Sequence, residues 1–183
     1  MELGRSHLSL VSRDWLIPKN IEYNLKVLFI SPKLSRLGAG IFDVERNLAQ
    51  VFARSKAIQI EAIGLTDQYV QRDLDLWGKC KVTPVPFIGP ESFGYSPALA
   101  KKLSGEDFRA DVGHLHFLWM YTSIAASKWS RVHDAPLLIT PNGMLEPWAL
   151  NNSKVKKKIA YALFERKNLK SAACIQANTV KEV

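Results

Sequence analysis

Two histidines two residues apart, His114 and His116, are the side chains of this chain best suited to acid–base or charge-stabilising chemistry near neutral pH. On a strand, residues i and i+2 project to the same face, so the two rings should lie side by side. His116 is the nearer to the C-terminal end of the apolar run 112–118, and ligand sites in open parallel sheets form at such ends. It is therefore the catalytic candidate, while His114 fits better as a core histidine satisfied by the backbone. A metal site would need a third and fourth ligand. Only His133 and Cys80 could supply them and neither has ligand spacing, so no metal is expected.

Two loops add candidate binding groups. Gly38-Ala39-Gly40 follows an apolar run and opens a helical pattern. Glycine there allows close backbone approach, and helix N-terminal amides suit a phosphate or a sugar hydroxyl. A tight turn without a ligand is the competing reading. The dinucleotide fingerprint needs a further glycine three positions on, where this chain has Asp43, which disfavours a nicotinamide or flavin enzyme. Pro141-Asn142-Gly143-Met144 makes a second turn after an apolar run, so Asn142, Gly143 and Met144 join the substrate-binding candidates. Asp73-Leu74-Asp75 has the spacing of an acidic pair that can hold a divalent cation on a diphosphate. It lies in a polar stretch, however, and a solvated acidic patch is expected. Trp119, Trp129 and Trp148 could stack on rings, although Trp129 falls mid-helix and fits the core.

The elements that must position these residues alternate. Apolar, β-rich runs at 25–32, 58–65, 81–88, 112–118, 136–140 and 173–177 predict six strands. Pro84 and Pro86 place the third at a sheet edge. Helical patterns fall at 41–54, with apolar residues at 41, 44, 48, 51 and 52, then at 96–103, 121–132 and 153–169. Ser96 with Pro97 is a helix-start signal, and Ser153 is the expected cap of the long helix. Residues 67–77 predict a helical or irregular crossover. Such βαβα alternation implies an α/β fold: a doubly wound, Rossmann-like parallel sheet with helices on both faces. Residues 1–24 read as an N-terminal extension and 25–183 as the domain.

Composition sets the remaining bounds. In 183 residues, 47% are hydrophobic, enough for a domain with a real core and too many for disorder. No apolar run approaches the roughly 18 residues that span a bilayer. The first 24 residues carry no secretory pattern, so a cytoplasmic location with reduced thiols at Cys80 and Cys174 is expected. Lysine and arginine outnumber acids 25 to 17, a net +8 that favours anionic partners. No helix-turn-helix or RNA-module signature accompanies that charge, so no nucleic acid is expected. The helix 153–169 carries Lys154, Lys156, Lys157, Lys158, Arg166 and Lys167, with Val155, Ile159, Leu163 and Phe164 as one stripe. Peripheral contact with an anionic membrane on its inner face and an ordinary helix with a solvated basic face are both open readings.

With these residues laid out, the chain resembles the N-terminal domain of family-4, retaining, nucleotide-sugar-dependent glycosyltransferases of the GT-B fold, the glycosyl transferase group 1 type. The resemblance runs in order from about residue 26 to 182. It rests on the strand–Gly-Ala-Gly–helix opening, on HLHFLW, on ITPNGMLEPWAL and on the lysine-rich helix with its Glu-Arg pair leading to ACIQANTVKE. It implies a two-domain enzyme in which the N-terminal half holds the acceptor and a C-terminal half holds the donor. It implies that Gly38, Ala39 and Gly40 face the donor diphosphate, that His116 lies by the transferred sugar, and that Asn142, Gly143 and Met144 border the same cleft. No cofactor is expected.

The partners expected on that basis are a nucleotide-sugar donor and a glycan or lipid-linked acceptor, in polysaccharide biosynthesis. The donor-binding C-terminal domain is expected to be absent from these residues and the sheet to be cut short. Transfer by this chain alone is then not expected, and self-association through the exposed sheet edge is. A non-catalytic sugar- or phosphate-binding module, or a subunit needing a separate donor-binding partner, is the alternative.

Overall fold

A computed structural model describes residues 24–55, 57–179 and 182. The extension read at 1–24 lies, but for Asn24, outside the described residues. Six parallel strands form one sheet: β1 (Leu25–Ser31), β2 (Ile58–Leu65), β3 (Lys81–Val85), β4 (Val112–His116), β5 (Leu137–Thr140) and β6 (Cys174–Ile175). Their order is β3-β2-β1-β4-β5-β6. The chain winds outward from β1 to β3, returns to β4, and winds the other way, so β1 and β4 are neighbours at a topological switch point. Pro84 sits in β3 at the sheet edge, where its missing N–H interrupts no ladder.

Both faces of the sheet are covered, which is why its strands read as continuous apolar runs. On one face Leu28, Ile30, Leu115 and Ile139 pack with α3 (Pro97–Leu103) and α4 (Tyr121–His133). On the other, Phe29 and Ala62 pack with α1 (Gly40–Phe52) and with Trp77, which follows α2 (Val70–Asp73). Gly113 allows α4 to lie close. A Cβ at that position would stand 2.3 Å from the ring of Trp129, which is itself buried and donates its indole N–H to the Phe108 carbonyl. Ser96 caps α3 by accepting from the Leu99 amide, with Pro97 at the first turn.

Several expectations need correction. The inward face of α1 is Phe42, Glu45 and Ala49, whereas Val44 and Val51 are exposed. Ser153 caps nothing: it has φ 56° and makes no side-chain cap bond. A short helix, α5 (Pro147–Asn151), precedes it, so the chain enters the next helix from a kink and not from the extended geometry a cap needs. That long basic helix comprises α6 (Lys154–Ala160), a π turn (Tyr161–Glu165) and α7 (Arg166–Ser171). Its buried residues are Glu165 and Asn168. Val155, Ile159 and Leu163 point outward. β6 keeps only two residues, both exposed, and the chain then turns at Asn178.

Candidate functional site

A cavity of about 450 Å³ opens at the C-terminal ends of β1 and β4, the switch point of the sheet. Its walls are the end of β1 (Ser31, Pro32, Lys33), the glycine loop (Leu37, Gly38, Ile41), Glu91 with Ser92, and Phe117 with Met120 after β4. The lining is chiefly apolar. Lys33 Nζ donates to the Glu91 carboxylate, so the main charges at the rim are paired.

The glycine loop is a single 3₁₀ turn, Arg36–Gly38, anchored from below. Ser35 Oγ accepts from the Leu37 amide at 3.2 Å and donates to Asp67 at 2.7 Å. The Arg36 amide and guanidinium both donate to Asp73, and the Tyr69 ring lies against the guanidinium. Asp73 is fully buried, and its hydrogen bonds from Arg36 hold its carboxyl below the usual aspartate range. The acidic stretch expected to be solvated therefore contains the clamp of the loop. Its burial depends on Arg36, far away in sequence.

Ala39 has φ 46° and ψ −130°, a conformation that costs a residue with a Cβ. It leaves α1 without a side-chain cap, so the amides of the first turn are suited to an external acceptor. Replacing Ala39 by glycine should remove the strain and raise stability by about 1 kcal/mol. Urea denaturation of both proteins checks this, and a less stable variant would count against the strain.

The histidines lie side by side on the α1 face, as the spacing required, with ring centroids 4.0 Å apart and Phe29 edge-on to both. His114 shares a 2.7 Å hydrogen bond with Thr140 Oγ1, and burial pushes its pKa down to about 4. His116 is 1% exposed and is not among the residues lining the cavity, contrary to the open strand-end position expected for it. Phe117, the next residue, does line it, at φ 80°. Neither ring nitrogen of His116 has a hydrogen-bond partner among the described residues, and burial and His114 hold its pKa well below the usual histidine value.

Beneath the glycine loop, Glu45 Oε1 approaches His116 Nδ1 to 3.7 Å. Glu45 is fully buried and, among the described residues, neither carboxyl oxygen has a hydrogen-bond partner; the nearby Ser31 hydroxyl donates to the Lys33 carbonyl instead. Burial pushes the Glu45 pKa up to about 8, so its carboxyl stays protonated near neutrality. A buried carboxylic acid beside a neutral imidazole, both unpartnered, is a costly arrangement of a kind concentrated at functional sites. The sequence carries a signal for Glu45: it sits three residues after Phe42 and four before Ala49, on their face of α1.

Asn142 and Gly143 adopt positive φ in a tight turn after β5, but none of Asn142, Gly143 and Met144 lines the cavity. The turn is held by the chain itself. The Gly143 amide donates to Glu182 at 2.6 Å, and Asn178 Nδ2 donates to Asn142 Oδ1 at 2.8 Å. Met144 packs against the α4 side of the core. Of the expected site residues, Gly38 is in the cavity wall, Ala39 and Gly40 adjoin it, and His116 lies in the interior behind Phe117.

Glu165 is a further residue whose place the sequence did not reveal. Fully buried, it accepts from the Trp119 amide at 2.8 Å and so ties the basic helix to the Phe117–Met120 loop. Desolvation pushes its pKa up. Among the described residues no cluster of three or more metal-type ligands occurs.

The sequence profile described as "Glycosyl transferase 4-like domain" matches residues 43–183. Among solved structures, Anabaena HepE in complex with UDP and glucose is similar at 15% identity and a TM-score of 0.59. The match covers 87% of this chain and 39% of that one, so the chain spans well under half of HepE. A protein of unknown function from Vibrio parahaemolyticus matches at 9% identity and a TM-score of 0.45, over 88% of this chain and 97% of its own. No curated protein sequence matches this chain.

Proposed function

This chain belongs to the glycosyl transferase 4-like family, and we propose that it forms the acceptor-side half of a GT-B glycosyltransferase. The reaction proposed is transfer of a hexose, with retention, from a nucleotide diphosphate sugar to a glycan or lipid-linked acceptor in polysaccharide assembly. The observation that carries the reading is the cavity at the β1–β4 switch point, with an anchored glycine loop and an uncapped helix N-terminus on its rim. HepE, the structural relative, was solved with UDP and glucose, which supports a nucleotide-sugar donor. The chain supplies one wall of the cleft in this reading; a donor-binding domain supplies the other.

In the mechanism proposed, the first-turn amides of α1 from Gly40 onward stabilise negative charge on the departing diphosphate, an electrostatic role that needs no proton transfer, while the internally bonded turn 36–39 holds them in place. His116 stabilises charge near the reacting carbon. Its ring nitrogens have no partner among the described residues, Phe117 next to it in sequence lines the cavity, and the transferred sugar is the partner proposed for them. Asn142, Gly143 and Met144 are proposed to border the same cleft outside the cavity itself, and the Gly143 contact with Glu182 would have to yield before a substrate could reach that amide.

The test is a transfer assay with a panel of nucleotide sugars and oligosaccharide or lipid-linked acceptors. The chain alone should give no turnover above background, and adding or fusing a family donor-binding domain should restore it. Robust transfer by the chain alone would overturn the proposed division of labour.

A further inference from the structure

The outward face of the basic helix combines two properties that rarely share an exposed surface. Val155 is 70% exposed, Ile159 55% and Leu163 76%, at successive intervals of four residues, so they form one ridge along α6 and the π turn. At the α5 end Trp148 is 64% exposed. A helix normally turns such a stripe to the core; here Glu165 and Asn168 face inward instead. The exposed charged residues of the helix are all basic, Lys154, Lys156 and Lys158 before the π turn and Arg166, Lys167 and Lys170 after it, and its one acid, Glu165, is buried.

We propose that this face docks on an anionic phospholipid surface, with the ridge and Trp148 inserted at the headgroup level and the lysines and arginine around it. Charge selects the occupant. A second copy of the same face would bring two positive surfaces together, whereas an anionic bilayer offers opposite charge and an apolar layer beneath. Lysine stems can lie along apolar surface with their heads among phosphates, and tryptophan suits the interface. Among the described residues no helix is long and apolar enough to cross a membrane, so the helix lies on the bilayer.

The face is continuous with the cavity. Lys157 Nζ sits over the Trp119 ring, and Phe164 packs on Phe93, so the helix abuts the two loops that contribute Phe117, Met120, Glu91 and Ser92 to the lining. Docking would therefore hold the cavity close to the bilayer, within reach of a lipid-linked acceptor. That consequence rests on the transferase reading; the docking itself does not.

The experiment is flotation of the purified chain with vesicles of phosphatidylcholine alone or with 30% phosphatidylglycerol, at low and high salt. Partitioning into the anionic vesicles should exceed that into neutral ones by about 10-fold or more and fall as salt rises. Intrinsic tryptophan emission should shift to the blue on binding, and Trp148→Phe should lose that shift. Ile159→Ser with Leu163→Ser should cut partitioning by about 10-fold, and Lys156→Glu with Lys158→Glu should abolish the preference for anionic lipid. All four residues are on the outside, so far-UV circular dichroism melts should match the parent. Equal binding to both vesicle types, or no effect of the apolar substitutions, overturns the proposal. So does self-association in sedimentation velocity that the Leu163→Ser substitution removes, because the ridge would then be a contact between copies.

Discussion

Replacing Glu45 by glutamine will stabilise this domain at pH 8 by roughly 4 kcal/mol relative to its effect at pH 4.5. The carboxyl is fully buried with a pKa pushed up to about 8, against an ordinary value of 4.5. A group whose folded-state pKa is raised contributes its full stability below the unfolded value and loses it as pH climbs to the folded value. Between about pH 4.5 and 8 the folded chain holds a proton that the unfolded chain releases. Parental stability should therefore fall relative to Glu45→Gln by about 1.4 kcal/mol per unit. His114 and His116 act in the opposite sense, because both are depressed and buried neutral. Their contribution is present above about 6.5 and lost on acidification. Stability of the parent should decline from near pH 6.5 towards 8, and the glutamine variant should lack that decline. Urea unfolding of both proteins from pH 4.5 to 8.5 measures it. A constant difference would mean that the Glu45–His116 pair holds no proton in the folded domain, whichever residue carries it.

In the enzyme proposed above, completed by a donor-binding domain, His116→Gln should lower turnover by about 10²-fold or more, the range for losing one charge-stabilising group. Glutamine approximates the volume of the ring, so the contact with Phe29 should survive and the melting temperature should change little. His114→Leu, which cannot hydrogen-bond, should show the reverse. The 2.7 Å bond to Thr140 is buried, and losing it should cost about 1–3 kcal/mol of stability with turnover largely kept. Kinetics and thermal melts of the two variants decide it. Reversed phenotypes would assign the chemistry to His114 and leave His116 a packing role.

The sheet was legible in the sequence because each strand is a short apolar run bounded by turn residues. The α/β alternation left few topologies, and the order β3-β2-β1-β4-β5-β6 is one that a doubly wound chain favours. Helix phase was less legible. The pattern at 41, 44, 48 and 51 described α1 a step away from its buried face, because Glu45 was counted as polar while it sits inside. In the basic helix Val155, Ile159 and Leu163 share one face while Phe164 turns towards Phe93, and the pattern does not say whether the shared face meets the core or the exterior. Glu165 settles that by reaching the Trp119 amide, a contact 46 residues long in sequence. The burial of Asp73 is illegible locally for a similar reason: its partner Arg36 comes from another loop. Gly38-Ala39-Gly40 forms the turn into α1 that its place after an apolar run predicts, whereas the strain at Ala39 shows only in the backbone angles.

The clamped glycine loop has a consequence for affinity. Fixing the backbone of one residue costs roughly 1–2 kcal/mol in lost conformational freedom, and a floppy phosphate-binding loop would charge that loss against its ligand. Here the Gly38 amide already donates to the Ser35 carbonyl, the Ala39 amide to the Arg36 carbonyl, and Arg36 to a buried carboxylate. The ordering is completed when the chain folds, so the ligand proposed for this loop would meet it in one shape. Contacts it then makes appear as binding free energy with little entropy left to lose.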